Sequence, residues 1–416
     1  MDAQQESLPP LSQEELDEII RKHIMFETCK PGGARAHIKF KSLVGLSFRG
    51  ADLSGADFTG SDLRNCEMEN AKFHGTIFYG CSMQGSRMSG SDFSRADFRG
   101  ADVTGADMTN TSMEGADLRQ GAKVISQTSQ GKPISSSNGK TTFKGVDLEN
   151  ANLSNARAAM VDLSDSDLKS ARMAHIDLSQ ADLQNTNMTG AVLVEANLED
   201  SKLNGAIMVG TDTAGANFEG AHYEEVLTDA PSGKVFDYSE EEDPLIKLLK
   251  SHNTWLQHTG KKGERIDLSE YDLRTVPDLA RYALTNIKAE KSIFQGMVLM
   301  RAQMQCCAFE DSDFRDSKLK EADLRGSSFV GAKMTRADLS DANLSPLFFS
   351  EERKKVTDLT NADLSFTDLT NVNLQDAILK GTNLKGANLT RANLRGADLT
   401  EADLEGAVLE KAKLDV

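Results

Sequence analysis

Aromatic residues are scarce in this chain of 416 residues, at 6% of the total with one Trp and five Tyr. That shortage argues against a core built around large ring clusters. Long apolar runs are also missing. No stretch approaches the roughly 18 consecutive apolar residues that mark a membrane-spanning helix, and the start, MDAQQESLPPLSQEELDEII, is polar and acidic. The sequence therefore predicts neither membrane insertion nor a signal peptide. There is no basic excess, because 47 Lys plus Arg face 64 Asp plus Glu, for a net charge of −17. Direct binding to nucleic acid or an anionic membrane through bulk charge is disfavoured, and a partner with a basic surface is better suited. The five cysteines, Cys29, Cys66, Cys81, Cys306 and Cys307, are odd in number and lack metal spacing, which predicts a reducing, cytoplasmic setting.

What is plentiful is Gly, at 32 residues, and a repeat. From Leu43 to Leu118 every fifth residue is Leu, Phe, Met or Val, at all sixteen positions. From Phe143 to Tyr223 fifteen of seventeen keep a large apolar residue, with Ala158 and Thr213 the lapses. A third run, shifted by one, goes from Phe294 to Leu344 and resumes from Leu359 to Leu414. The residue two before each centre is mostly small, as in Ala51, Ser61 and Cys66, and the residue two after is often Gly or Asn, as in Gly55 and Asn65.

A period of five fits neither a helix at 3.6 residues nor a strand at 2. It fits a chain that turns a corner once per five residues, pointing one large and one small residue inward from each side. Gly or Asn two after the centre supplies the positive φ of a tight turn. Four sides close a coil of about twenty residues, and coils stack about 4.8 Å apart, as paired strands do. Only the first and last coils then leave an open edge.

Over residues 38–223 and 266–414 the sequence resembles the pentapeptide-repeat family. The resemblance implies an all-β solenoid, a right-handed quadrilateral β-helix, and the handedness comes from the resemblance alone. The expected architecture has two lobes, each preceded by a short capping α-helix. Residues 12–27 read as an amphipathic helix with Ser12 and Glu15 in a capping box, and 243–257 as another, with Asp243 at the N-cap and Pro244 in the first turn. The two segments match in detail. His23 and Phe26 correspond to His252 and Trp255 as structural cap residues, and Lys30-Pro31-Gly32-Gly33 corresponds to Gly260-Lys261-Lys262-Gly263. An Arg follows in each, Arg35 or Arg265. The cap and solenoid are thus duplicated. The expected domains are a disordered N-terminus over 1–11, a cap helix and entry segment over 12–42, a first lobe over 43–223, an acidic hinge over 224–242, a second cap over 243–265 and a second lobe over 266–416.

Three departures from the repeat are candidates for partner binding. The inter-lobe stretch from His222 to Asp243 has a net charge of −7, centred on Glu240, Glu241 and Glu242, and reads either as a solvated hinge or as an acidic patch. Residues 119–142 carry Lys123, Lys132 and Lys140 without any acid, either as a loop or as an irregular coil. Residues 345–356 place Leu347, Phe348 and Phe349 beside charges, either packed on the solenoid wall or exposed as a contact.

Chemistry has few footholds. None of the histidines, His23, His37, His74, His175, His222, His252 and His258, lies in a metal motif, and no phosphate-binding or nucleophile motif is present. Asp before a centre, as in Asp52, Asp57, Asp62, Asp92, Asp97, Asp102 and Asp107, suits a turn that bonds its own backbone. The expectation is a non-enzymatic scaffold for a protein partner, with no catalytic residue, metal or cofactor. The alternative comes from the family, some of whose members are thought to mimic duplex DNA and regulate a type II topoisomerase such as DNA gyrase. Stacking residues twenty apart predicts one outer ladder of Asp323, Asn343, Asp363, Asn383 and Asp403, and a mixed one of Lys318, Asp338, Asp358, Ile378 and Asp398. Basic residues interrupt the outer sites at Arg64, Arg95, Arg99, Arg315, Lys380, Arg391 and Arg395. The uncapped coil ending in Leu414 offers a surface for a homodimer.

Overall fold

The computed structural model describes residues 8–122, 125–127, 133–135, 139–236, 243–274, 276 and 279–414. The chain divides into two compact units, Met1–Ala230 and Pro231–Val416. Each is a coil whose sides pair in parallel with the side twenty residues on, as in Asp52↔Lys72 and Lys72↔Asp92. The corners behave as the residue types demand. Gly55 and Asn65 adopt φ of 69° and 56°. The Asp before a centre bonds the turn ahead of it: Asp57 Oδ1 accepts from Thr59 N at 3.0 Å and Thr59 Oγ1 at 2.6 Å.

Large and small inward residues share the interior. Phe58, Phe78 and Phe98 stack at 5.4 and 5.2 Å between ring centres, one ring per coil. In the second unit Phe294 stacks on Phe314 at 4.4 Å. Many polar small residues bond within the coil: Ser86 Oγ accepts from Cys66 N at 3.0 Å and donates to Leu63 O at 2.7 Å, although Ser201 Oγ and Ser317 Oγ are buried with no partner among the described residues. Each fully buried Leu or Phe centre is worth about 1.5–3 kcal/mol relative to exposure, and about twenty line each unit.

Helix α1 (Gln13–Glu27) starts at the capping box of Ser12 and Glu15. Helix α2 (Pro244–Gln257) starts at Asp243, whose carboxylate accepts from Leu245 N and Ile246 N at 2.9 and 3.2 Å. The duplicated residues make duplicated bonds. His23 Nδ1 accepts from Ala36 N at 3.0 Å, and its Nε2 is 3.0 Å from Ser54 O. His252 Nδ1 accepts from Ile266 N at 3.2 Å, and its Nε2 is 3.0 Å from Thr285 O. A backbone N–H on one nitrogen and a carbonyl on the other require the tautomer with its proton on Nε2. Arg35 Nε donates to Gly55 O at 2.5 Å and Arg265 Nε to Asn286 O at 2.6 Å. Gly33 and Gly263 permit the close return of the chain after each helix. A Cβ on either would collide with helix backbone, at Phe26 N for the first and Ser251 O for the second.

Several boundaries differ from the sequence reading. Of the expected disordered residues 1–11, Pro9 O accepts from Ser42 N at 3.0 Å and Leu11 N donates to Ser42 O at 2.9 Å, adding a segment to the first coil. The expected hinge 224–242 is taken up in part by the two units, and its residues 237–242 lie outside the described residues. Leu227 is buried and pairs through Ile207, so the first coil continues past Tyr223. Lys234 pairs with Tyr271, and Phe236 stacks on Tyr271 at 4.7 Å. The third run starts before Phe294, because Leu268, Leu273 and Leu284 are buried centres. Pairing there shifts from Asp272↔Ile293 to Ala283↔Gln303, so one extra residue enters beside the 3₁₀ turn Leu279–Arg281 and breaks the count of five.

Candidate partner-binding surface

The outer ladders are less anionic than the composition suggests, because many carboxylates are already engaged. Asp at one position and Arg two later form a turn and an ion pair together, as in Asp62–Arg64 at 2.6 Å, Asp97–Arg99 at 2.7 Å and Asp323–Arg325 at 2.6 Å. Asp117 takes Arg119 and Arg157, each at 2.9 Å. Burial pushes its carboxyl up, but the Arg119 hydrogen bonds and the Arg157 charge outweigh that and hold it below the usual carboxylate range. Arg315, expected on the outside, is instead buried against Asp313 at 2.6 Å.

The two ladders expected in the second unit are also corrected. Ser328 pairs with Asp358 and Asn343 with Asn373, thirty residues on rather than twenty. Ten residues leave the coil at 346–355. Being two fives, they preserve the apolar phase but move every later residue two faces round. The true ladders are Asp323, Asn343, Asn373, Asn393, Lys413 and Lys318, Asp338, Asp368, Asn388, Val408. The first is a run of side-chain amides, with Asn373 Nδ2 donating to Asn343 Oδ1 at 3.3 Å and Asn393 Nδ2 to Asn373 Oδ1 at 3.0 Å. It is no anionic stripe.

Both excursions leave the wall as two-stranded antiparallel hairpins. In the first, β1 (Ile125–Gln127) pairs with β2 (Pro133–Ser135). Its base is seated by Thr141, whose buried Oγ1 accepts from Gly100 N at 2.7 Å, and by Tyr79 Oη, which accepts from Ala122 N at 2.6 Å. Lys140 is exposed and meets Asp162 at 2.8 Å. Lys123 and Lys132 lie outside the described residues, as do Glu240, Glu241 and Glu242.

In the second hairpin, β3 (Leu347–Phe348) pairs with β4 (Lys354–Lys355). The same device seats it: buried Thr357 Oγ1 accepts from Gly326 N at 3.0 Å. Leu347 and Lys355 cross directly over Gly326, where a Cβ would meet Lys355 O at 3.1 Å and Leu347 Cβ at 3.3 Å. Of the two readings of this segment, packing on the wall fits Leu347, which is half-buried. It fails for Phe348 and Phe349, which are 61% and 54% exposed. The Arg353 guanidinium lies 5.4 Å from the Phe349 ring centre and Lys354 Nζ 6.0 Å from that of Phe348, which steadies both rings in solvent.

Behind this hairpin lies an open groove of about 550 Å³. Thr285, Asn286 and Cys306 of the coil line it, with Leu256 of α2. The hairpin contributes Leu347, Phe349 and the consecutive cations Arg353, Lys354 and Lys355. The sequence reading found the apolar half of this surface and missed Leu256, Cys306 and the three cations. The run Arg353-Lys354-Lys355 beside three apolar residues was the available signal. An open groove of about 560 Å³ in the first unit is lined differently, with Asp17 alongside Arg21 and Arg49.

The remaining candidates have packing roles. His23 and His252 are fully buried, and each stacks on its aromatic neighbour, Phe26 at 6.3 Å and Trp255 at 5.7 Å. Among the described residues no group of three or more His, Cys, Asp or Glu is placed to hold a metal ion. No helix among them is long and apolar enough to cross a membrane. All five cysteines are unbridged. Burial pushes the thiols of Cys66, Cys81 and Cys307 up to about 12. Native protein treated with a thiol reagent near pH 8 is therefore expected to label at exposed Cys29 first and half-buried Cys306 more slowly. The other three should react only on unfolding, and mass spectrometry of the labelled peptides checks this.

Comparison with known proteins places these features. The family model for pentapeptide repeats matches in eight copies, over residues 42–80, 81–120, 140–169, 171–210, 307–345, 357–376 and 377–415, more than half of the chain. No curated protein matches. Among solved structures, full-length QnrB1, a plasmid-mediated fluoroquinolone resistance protein, is 21% identical, with 46% of this chain and 84% of that one covered and a TM-score of 0.26. Rfr23, a pentapeptide repeat protein from the cyanobacterium Cyanothece 51142, is 34% identical over 30% of this chain and 87% of its own, with a TM-score of 0.20. HetL from Nostoc sp. strain PCC 7120, a pentapeptide repeat protein involved in heterocyst differentiation regulation, is 19% identical over 95% of both chains, with a TM-score of 0.15. The chain belongs to the pentapeptide-repeat family, whose fold is the right-handed β-helix.

Proposed function

We propose that this protein is a non-enzymatic interaction scaffold. Two β-helical lobes, each capped by its entry helix, present hairpins and outer faces to a protein partner. The observation that carries this reading is the exposure of Phe348 and Phe349 on a hairpin seated over Gly326, while the coil interiors are filled by their own side chains. A rigid wall with satisfied ladders gives a partner little to hold, whereas steadied aromatic rings give it much.

The test is affinity capture from the source cell with the full chain and three altered forms. Residues 123–140 are deleted in one, residues 346–355 in another, and Glu240, Glu241, Glu242 and Asp243 are replaced by amides in the third. Loss of a captured protein in the second form is expected. If all three forms retain every captured protein, the reading fails. Inhibition of gyrase supercoiling by micromolar full-length protein would favour the DNA-mimicking alternative instead.

A further inference from the structure

Resting on that reading, we infer that the groove behind the second hairpin takes a short, extended peptide segment in which an acidic residue neighbours a large apolar one. Two properties of the groove select this chemistry. Its lining is apolar at Leu256, Leu347 and Phe349. Its polar side carries Arg353, Lys354 and Lys355, and no carboxylate lines it. A chain with net charge −17 has concentrated three consecutive cations beside half-exposed aromatics.

The cations are not equivalent. Lys354 Nζ meets Asp376 at 3.1 Å, so part of its charge is already answered. Lys355 Nζ donates to a carbonyl, Cys306 O at 3.4 Å, and a carbonyl cannot neutralise it. Arg353 lies over Phe349, which holds the guanidinium in place without occupying its N–H groups. A guanidinium fixed in this way can clamp a carboxylate through two parallel hydrogen bonds. The apolar residue of the segment then fills the space between Leu256 and Phe349.

A nucleic acid is the competing class, and the groove disfavours it. At about 550 Å³ it seats a short segment rather than a backbone with its phosphates. The net charge of −17 over the whole chain also works against a polyanion extending beyond it.

The experiment is panning of a displayed random dodecapeptide library on the full chain, followed by fluorescence anisotropy with the enriched peptides. The same titrations are run on the triple variant Phe349→Ala, Arg353→Ala, Lys355→Ala. All three side chains project from the hairpin rather than into the coil, and an unchanged melting temperature confirms that the variant folds. The expected result is enrichment of peptides pairing Asp or Glu with Leu, Phe or Trp, bound at least tenfold more weakly by the variant and more weakly at high salt. No enrichment, or enriched peptides lacking acids, overturns the inference. Enriched peptides that bind the variant equally well overturn the groove assignment and leave the scaffold reading standing. A fluorescein-labelled single-stranded oligonucleotide that binds the full chain and not the variant overturns the peptide assignment in favour of nucleic acid.

Discussion

Replacing Phe314 by Ala is expected to destabilise the second unit by about 3–5 kcal/mol. Phe314 is fully buried, stacks on Phe294 at 4.4 Å and meets Phe309 and Phe329 edge-on at 5.2 and 5.7 Å. The cost should lie at the upper end because the cavity cannot collapse. Each flanking side is fixed by backbone bonds to the coils on either side, including Phe294 N to Asp313 O at 2.7 Å and Phe314 N to Lys333 O at 2.7 Å. Coils contact only their neighbours, so the loosening should centre on residues 294–329. Urea denaturation reads the total, and amide hydrogen exchange reads its location. Phe314→Leu, which keeps most of the volume, should lose less than half as much.

Replacing His252 by Ala should cost about 3 kcal/mol, because it removes packing and leaves Ile266 N and Thr285 O without partners in a buried site. Its titration gives a sharper signature. Burial pushes the imidazole below its ordinary value, and the charge of Arg265 pushes the same way, against the Thr285 carbonyl, which favours the proton. Below pH of about 6.5 the unfolded ring binds a proton that the folded ring refuses. Stability from this group is therefore complete above about pH 6.5. It falls as pH drops toward the folded value, by up to about 1.4 kcal/mol per unit. Denaturation midpoints between pH 7.5 and 5.5 should show the fall in wild type, and a smaller one in His252→Gln. An equal slope in both would separate the ring from the acid sensitivity.

The centres of the coil were legible because each side uses one large inward residue, and neither a helix nor a strand repeats at five. The capping helices were legible as a pair: His23 and His252 match in sequence because both bridge a returning backbone N–H and a coil carbonyl. The faces of the second unit were not legible after Leu344. An excursion of ten residues is invisible to a period of five, yet it turns a four-sided coil by half, so Asn343 meets Asn373 rather than Asp363. The extra residue near Leu279 had the opposite effect, hiding Leu268 and Leu273 by breaking the count although their burial is complete. Within the candidate site, Leu347-Phe348-Phe349 has the composition of a core segment. Only the fold shows that Leu347 sits over Gly326 while the two rings stay in solvent. Leu256 and Cys306 could not be joined to it from sequence, since coil stacking and α2 bring them together.

The charge deficit also takes on a different meaning. Aspartates are frequent because the turn uses them, and arginines two residues on answer several of them in place. Net charge therefore says little about the partner, and the local exception to it, Arg353 to Lys355, says more.

The central claim is that a self-satisfied wall carries its binding function on a seated hairpin. Its most direct test is amide hydrogen exchange on the full chain with and without the captured partner. Protection confined to residues 345–356, the end of α2 near Leu256 and the turns at Thr285 and Cys306 is the predicted result. Protection spread along the outer ladders, with the hairpin unchanged, would contradict it.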